Sequence, residues 1–121
     1  MWVIQNNAFV SIVEHRDDAS KLIVRGRFKG DVERFLNPLP SGLHVVEEVT
    51  PNADYRFRAV VPREAVAHAM LRGVSKITYP NFKDSIKAAF RKSIAMRVWS
   101  IFNAAQQQRA EPARRQQPWL L

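Results

Sequence analysis

The side chains with the clearest capacity for chemistry are basic residues that recur in two short segments, 21–29 and 55–61. In both segments they alternate with apolar residues, which is the period of a β-strand and gathers them on one face. These residues are Arg25, Arg27, Lys29, Arg56 and Arg58. A guanidinium group binds phosphate oxygens through two parallel hydrogen bonds. If the two strands share a sheet, they form a surface for nucleic acid that does not depend on base sequence.

The predicted basic face lacks aromatic residues. Tyr55 and Phe57 alternate with Arg56 and Arg58, so the same period assigns their rings to the core. Proteins that bind single strands usually stack the bases on aromatic rings. A second interpretation therefore stays open, in which the basic residues are the solvated face of a half-covered antiparallel sheet.

A second basic group follows later in the chain. Lys83, Lys87 and Arg91 recur at four-residue spacing, as on one side of a helix. The apolar residues beside them are Phe82, Ile86, Phe90, Ile94, Val98 and Phe102. We expect this apolar row to be core, with no membrane partner. The candidate nucleic-acid-binding residues are Arg25, Arg27, Lys29, Arg56, Arg58, Lys83, Lys87 and Arg91.

Catalytic and metal-binding patterns are not found. The histidines are His15, His44 and His68, and none has a recognised catalytic spacing. The chain has no cysteine, which excludes thiolate zinc sites and a cysteine nucleophile. Glu47 and Glu48 are adjacent, so a strand directs them to opposite faces. We expect no catalytic residue, no metal and no cofactor, and an enzyme of unrecognised type remains the second alternative.

The length and charge are those of one small basic domain. The chain has 121 residues and a formal net charge of +8. Residues 1–80 hold 11 basic and 9 acidic residues, whereas residues 81–121 hold 8 basic and 2 acidic residues. An uneven basic charge favours a polyanionic partner. No segment has the pattern of a signal peptide or a membrane span, so a cytoplasmic location is expected.

The periodic segments predict an α+β fold. Strands are expected over 2–13, as one bent strand or a hairpin, and over 21–28, 44–50 and 55–61. A short helix follows Asp31, its expected N-cap. Two longer helices are expected, one after Pro62 with Val66, Met70 and Val74 as its buried stripe, and one from Phe82 to about Gln107. The predicted order is ββαββαα, an antiparallel sheet of about four strands with two helices packed on one face.

The last part of the chain differs in composition from the rest. Residues 106–121 are rich in Gln and Arg and contain two prolines, so we expect a polar, flexible tail after a single domain over 1–105. Residues Trp119, Leu120 and Leu121 are apolar, and two interpretations stay open: they dock on the domain or on a partner, or they are an apolar end without a role.

Several stretches resemble a group of small proteins of bacteria and their phages. They are residues 9–13, 22–27, 30–33, 53–62, 79–85 and 96–99. In this order the stretches resemble that group over roughly residues 1–103. The resemblance implies one coherent domain, and it implies no activity, cofactor or site residue.

These observations predict a small, non-enzymatic accessory binding protein, encoded by a phage or a prophage, that acts on nucleic acid or a nucleoprotein through a basic surface. The first alternative is a protein that inhibits or adapts a host complex, such as a defence complex. The sequence predicts no oligomeric state.

Overall fold

The computed structural model describes residues 1–110, which form an α+β fold. The elements in chain order are β1 (Trp2–Ile4), β2 (Phe9–Glu14), β3 (Lys21–Gly26), α1 (Asp31–Leu36), β4 (Val46–Glu47), β5 (Phe57–Pro62), α2 (Arg63–Ser75), α3 (Phe82–Ser85) and α4 (Ala89–Arg109). The α+β class is as predicted from the sequence. The order βββαββααα differs from the expected order by one strand and one helix.

The strands form one antiparallel sheet in the order β1-β2-β3-β5-β4. The first predicted strand is a hairpin, because β1 and β2 pair with Ile4 opposite Phe9 and with Asn6 and Asn7 in the turn. The strand expected over 44–50 is reduced to the two residues of β4, which pair with β5 at the sheet edge. A strand this short leaves few unpaired backbone groups for edge-to-edge association.

The core lies between one face of the sheet and helices α1 and α2. Alternate residues of β2, β3 and β5 point into it, and the two helices close it from the other side. The buried cluster consists of Ala8, Val10, Ile12, Val24, Val32, Phe35, Leu36, Phe57, Ala59, Val61, Val66 and Ala69. The alternation that predicted the apolar sides of β3 and β5 is therefore confirmed for the strand residues themselves.

The buried side of α2 differs from the predicted stripe. Val66 and Ala69 are buried and Met70 is half-buried, but Val74 is exposed. Each four-residue step turns an α-helix about 40° beyond a full circle, since one turn takes 3.6 residues. After two such steps, from Val66 to Val74, the side chain no longer faces the core. The residues that do face it, Val66, Ala69 and Met70, are spaced by three and four residues.

The helix expected from Phe82 to about Gln107 is two helices, and this prediction is wrong. Asn81 caps α3 by accepting a hydrogen bond from the Asp84 amide at 3.1 Å. The Ser85 hydroxyl donates to the Phe82 carbonyl at 2.6 Å, which offers the backbone an alternative to the helical bond. Ile86 then adopts an extended conformation and is buried. The chain re-enters a helix at Ala89.

Helix α4 does not pack on the sheet face as predicted. Its first half contacts the rest of the domain through Phe90, whose ring meets Phe28 edge-on at 5.3 Å, and through the buried Ala95. Its second half extends away, with Ile101 and Phe102 exposed. The expected apolar row turns about 200° between Phe82 and Phe102 at 40° per step, so one surface cannot cover all of it.

A buried carboxylate joins three elements. Asp31 is fully buried and accepts hydrogen bonds from the Phe9 amide at 3.0 Å, from Arg34 at 2.6 Å and from Arg91. Asp31 is not the N-cap of α1, because Gly30 holds that position with a left-handed φ of 91°. The Asp31 carboxylate instead links β2, α1 and α4 through charge-assisted hydrogen bonds.

The helix α4 continues to Arg109, so residues 106–109 of the expected tail are helical. The expectations for 111–121, including the docking of Trp119 to Leu121, lie outside the described residues. Within residues 1–110, no helix combines the length and the apolar character required to cross a membrane.

Candidate nucleic-acid interface

The register of the sheet brings the predicted arginines together on the side away from α1 and α2. Arg25 in β3 lies directly opposite Arg58 in β5. Their neighbours Val24 and Ala59 point the other way and are buried in the core. The prediction that the two basic segments share a sheet face is confirmed for these two residues. We call Arg25, Arg27, Arg56 and Arg58 the arginine cluster.

Arg25 is held in place by two neighbours. Its Nη2 donates to the Ser11 hydroxyl on β2 at 2.8 Å, and its guanidinium carbon lies 4.5 Å from the ring centre of Tyr55. The Nε atom of Arg25 is buried and has no hydrogen-bond partner among residues 1–110. Because this atom is shielded from solvent, an anion that approaches Arg25 can be bound only through the outer nitrogens of the guanidinium group.

Tyr55 packs against two guanidinium groups, contrary to the prediction that its ring joins the core. Arg27 lies 4.3 Å from the same ring centre, and its Nη1 donates to the Asp54 carbonyl at 2.6 Å. The reason is that β5 begins only at Phe57, so the strict alternation does not extend back to residue 55. Stacking on an aromatic ring restricts the orientation of both guanidinium planes.

The remaining two arginines, Arg56 and Arg58, follow Tyr55 in sequence, on either side of Phe57. Arg58 donates from Nε to the Tyr55 carbonyl at 3.3 Å and is half-buried, whereas Arg56 is exposed. The Arg56 carbonyl accepts a hydrogen bond from the Glu48 amide at 2.6 Å, which continues the pairing of the β4 segment with the β5 segment. Two hydrogen bonds therefore hold the backbone at the start of β5, one from the Glu48 amide and one from the Arg58 side chain.

Within residues 1–110, no ion pair neutralises the arginine cluster. The ion pairs within residues 1–110 join Arg34 and Arg91 to Asp31, Arg63 to Glu14, and Lys92 to Asp84, and include no cluster member. Glu48 is a carboxylate close to Arg58, but its Oε1 accepts hydrogen bonds from the hydroxyl and the amide of Thr50. These bonds lower the pKa of Glu48, and the charge of Arg58 lowers it further.

Trp2 is a functional candidate that the sequence reasoning missed. The pairing places Trp2 opposite Ser11, and Ser11 opposite Arg25, so the three side chains follow one another across the sheet on the same face. Trp2 is 70% exposed, and the centre of its ring lies 6.1 Å from the centre of the Phe9 ring. Adjacent strands are about 4.8 Å apart, so the backbones at Trp2 and Arg25 are about 10 Å apart along the row.

The other four predicted residues are separate from the arginine cluster. Lys29 and Lys87 are exposed and line a groove of about 510 Å³ beside Phe90. The ammonium group of Lys83 lies 4.4 Å from the Trp99 ring centre. Arg91 is paired with Asp31 and is mostly buried. We therefore leave Lys29, Lys83, Lys87 and Arg91 out of the interface proposed below.

One of the three histidines, His15, takes part in a local hydrogen bond. The Nδ1 atom of His15 accepts a hydrogen bond from the Asp17 amide at 3.1 Å within an exposed turn. In the part of the chain that the structure describes, no three His, Asp or Glu side chains are grouped so that they could hold a metal ion.

Comparisons with known proteins do not identify this chain. No family model matches it, and the searches of curated proteins and of solved structures return no similar protein.

Proposed function

We propose that this protein is a small accessory protein that binds nucleic acid, free or within a nucleoprotein, through the arginine cluster. The observation behind the proposal is that Arg25, Arg27 and Arg58 all contact the buried Tyr55, with Arg56 next to it in sequence, and that no cluster member is in an ion pair within residues 1–110. Guanidinium groups bind phosphate oxygens through paired hydrogen bonds, and such contacts to the backbone do not distinguish one base from another. The expected binding is independent of base sequence and weakens steeply with salt.

The exposed indole of Trp2 favours single strands over duplexes. A single strand can lay its phosphates along the arginine cluster and turn a base onto the indole of Trp2, which is two strands away from Arg25 on the same face. Bases within a duplex are stacked on one another and do not offer a free face to Trp2. The cytoplasm, where nucleic acid is available, is the proposed location.

Replacement of all four cluster arginines by Gln tests the proposal. About four phosphate contacts should be lost. The slope of log affinity against log salt concentration should therefore become shallower by about 3, and the affinity at physiological salt should fall on the order of 100-fold. Fluorescence anisotropy with a labelled oligothymidylate, measured over a series of salt concentrations, gives both quantities. Gln keeps most of the side-chain length, so the circular dichroism spectrum should be unchanged.

A matched variant separates the cluster from net charge. Arg16, Lys76, Lys92 and Arg109 are exposed and lie outside the cluster, and replacing them by Gln removes the same four charges. This control should keep most of the affinity. If the two quadruple variants lose affinity equally, binding follows overall charge and the arginine cluster is not the site.

Trp2→Ala should weaken single-strand binding by about 5- to 100-fold, since stacking of one base contributes about 1–3 kcal/mol. Duplex binding should change less than twofold, because the phosphate contacts remain. Titration of both oligonucleotides by anisotropy checks this, with Trp2→Phe as the variant that keeps an aromatic ring. Equal losses for single strands and duplexes would assign Trp2 a structural role only.

The alternative is a protein inhibitor or adaptor of a host complex, consistent with the resemblance to small bacterial and phage proteins. The exposed apolar side chains of α4 favour a protein partner over nucleic acid. A complex with a purified host protein that survives high salt and the loss of all four cluster arginines would support this alternative.

A further inference from the structure

A groove of about 510 Å³ lies between the turn of the β1–β2 hairpin and the start of α4. Its lining includes Asn6 and Asn7 from the turn, Phe28 and Lys29 after β3, and Lys87 and Phe90 around the start of α4. Sites for small molecules have volumes of about 300–1,000 Å³, so the groove has the size of such a site.

The groove carries a surplus of positive charge. Among residues 1–110, its lining contains Lys29, Arg34, Lys87 and Arg91 but no acidic residue. The two arginines pair with the buried Asp31, whereas the two lysines are exposed and form no ion pair within the described residues. Four cations against one carboxylate leave three positive charges in excess, and the first turn of α4 adds no acidic residue. The groove therefore favours an anionic ligand.

Two aromatic rings form part of the same groove. Phe28 and Phe90 meet edge-on, and Phe90 is still 50% exposed. The guanidinium carbon of Arg91 lies 4.9 Å from the centre of the Phe90 ring and restricts how that ring can turn. An exposed ring held by its neighbours is a surface on which a planar ring can stack. Asn6 and Asn7 carry amide groups, which can pair with the edge of a base.

We propose that this groove binds a nucleoside phosphate, with its phosphate groups on Lys29 and Lys87 and its base on the ring of Phe90. The ammonium group of lysine binds phosphate as a point charge, and the phenyl ring accepts the face of any base. A ligand that uses both parts needs an anionic group and a planar ring, and inorganic phosphate and saccharides each lack one of them. The groove shares no residue with the arginine cluster, so this inference does not depend on the proposed nucleic-acid interface.

Isothermal titration calorimetry of the full chain with ADP tests the site. Adenosine and inorganic pyrophosphate should each bind at least about tenfold more weakly than ADP, since each lacks either the phosphate contacts or the stacked base. The double variant Lys29→Gln, Lys87→Gln should weaken ADP binding about tenfold or more with an unchanged unfolding midpoint, because both lysines are exposed. The control Arg16→Gln, Lys76→Gln removes two exposed charges outside the groove and should keep the wild-type affinity. Phe90→Leu should weaken the binding of ADP but not that of pyrophosphate.

The variant without the four cluster arginines separates this site from the proposed interface, and it should bind ADP as tightly as the wild type. In that variant, an oligothymidylate with a 5′-phosphate is compared with one that ends in a hydroxyl group. The comparison shows whether the groove takes a nucleotide as a free molecule or as the end of a strand, and either result supports the site. Three results would overturn it: no heat of binding at millimolar ADP, equal losses in the lysine variant and its control, or loss of ADP binding together with the cluster arginines.

Discussion

Asp31→Asn should lower the free energy of unfolding by about 3–5 kcal/mol, because it leaves two arginines without the carboxylate that neutralises them. Asp31 is fully buried, and its oxygens accept from Arg34, from Arg91 and from the Phe9 amide. An amide at the same position carries no charge, and one of its two polar atoms can only donate. Urea unfolding monitored by circular dichroism measures the loss.

Two further variants show whether the buried charge is responsible. Asp84→Asn removes an exposed carboxylate that lies 4.0 Å from Lys92, and it should change stability by less than about 0.5 kcal/mol. Arg91→Met leaves Asp31 with Arg34 and the Phe9 amide, so an intermediate loss of about 1–3 kcal/mol is expected. The interpretation fails if Asp31→Asn destabilises the protein no more than Asp84→Asn does.

Tyr55→Ala should lower the free energy of unfolding by about 3 kcal/mol and also weaken nucleic-acid binding about tenfold. The first effect is at the low end for a buried aromatic residue, since the flexible arginine side chains can move into the space. The second arises because Arg25 and Arg27 lose the ring on which they stack, and must then be ordered when the ligand binds. Urea unfolding and anisotropy titration measure the two effects separately.

The matched variant is Tyr55→Phe, which keeps the ring and removes the hydroxyl. Both guanidinium contacts are to the ring, so stability should change by less than about 1 kcal/mol and affinity by less than twofold. If Tyr55→Ala loses stability but binds nucleic acid as tightly as the wild type, the ring does not position the arginines for binding.

The features that could be predicted from the sequence are those set by short-range periodicity. The alternation in residues 21–26 and 57–61 assigns Val24 and Ala59 to the core and Arg25 and Arg58 to the other face, as the structure has them. This works because side chains alternate strictly while the residue lies in a paired strand. It fails for Tyr55 because residue 55 precedes the strand.

The remaining parts of the site depend on pairings between distant residues. Trp2 joins the row of Ser11 and Arg25 only because β1, β2 and β3 adopt one particular register. Arg91 was expected to bind nucleic acid, but it pairs with the carboxylate of Asp31, 60 residues earlier in the chain. No local pattern encodes either contact. The break at Ile86 is partly local, since Asn81 and Ser85 are side chains that compete for backbone hydrogen bonds.

The placement of the buried cluster has a consequence for how the chain assembles during synthesis. Every member of that cluster lies between Ala8 and Ala69, so the sheet and its two covering helices can fold before the residues of α4 have left the ribosome. Helix α4 then attaches to a surface that already exists. Substitutions in its second half can alter what the protein associates with, while the part that folds first stays the same.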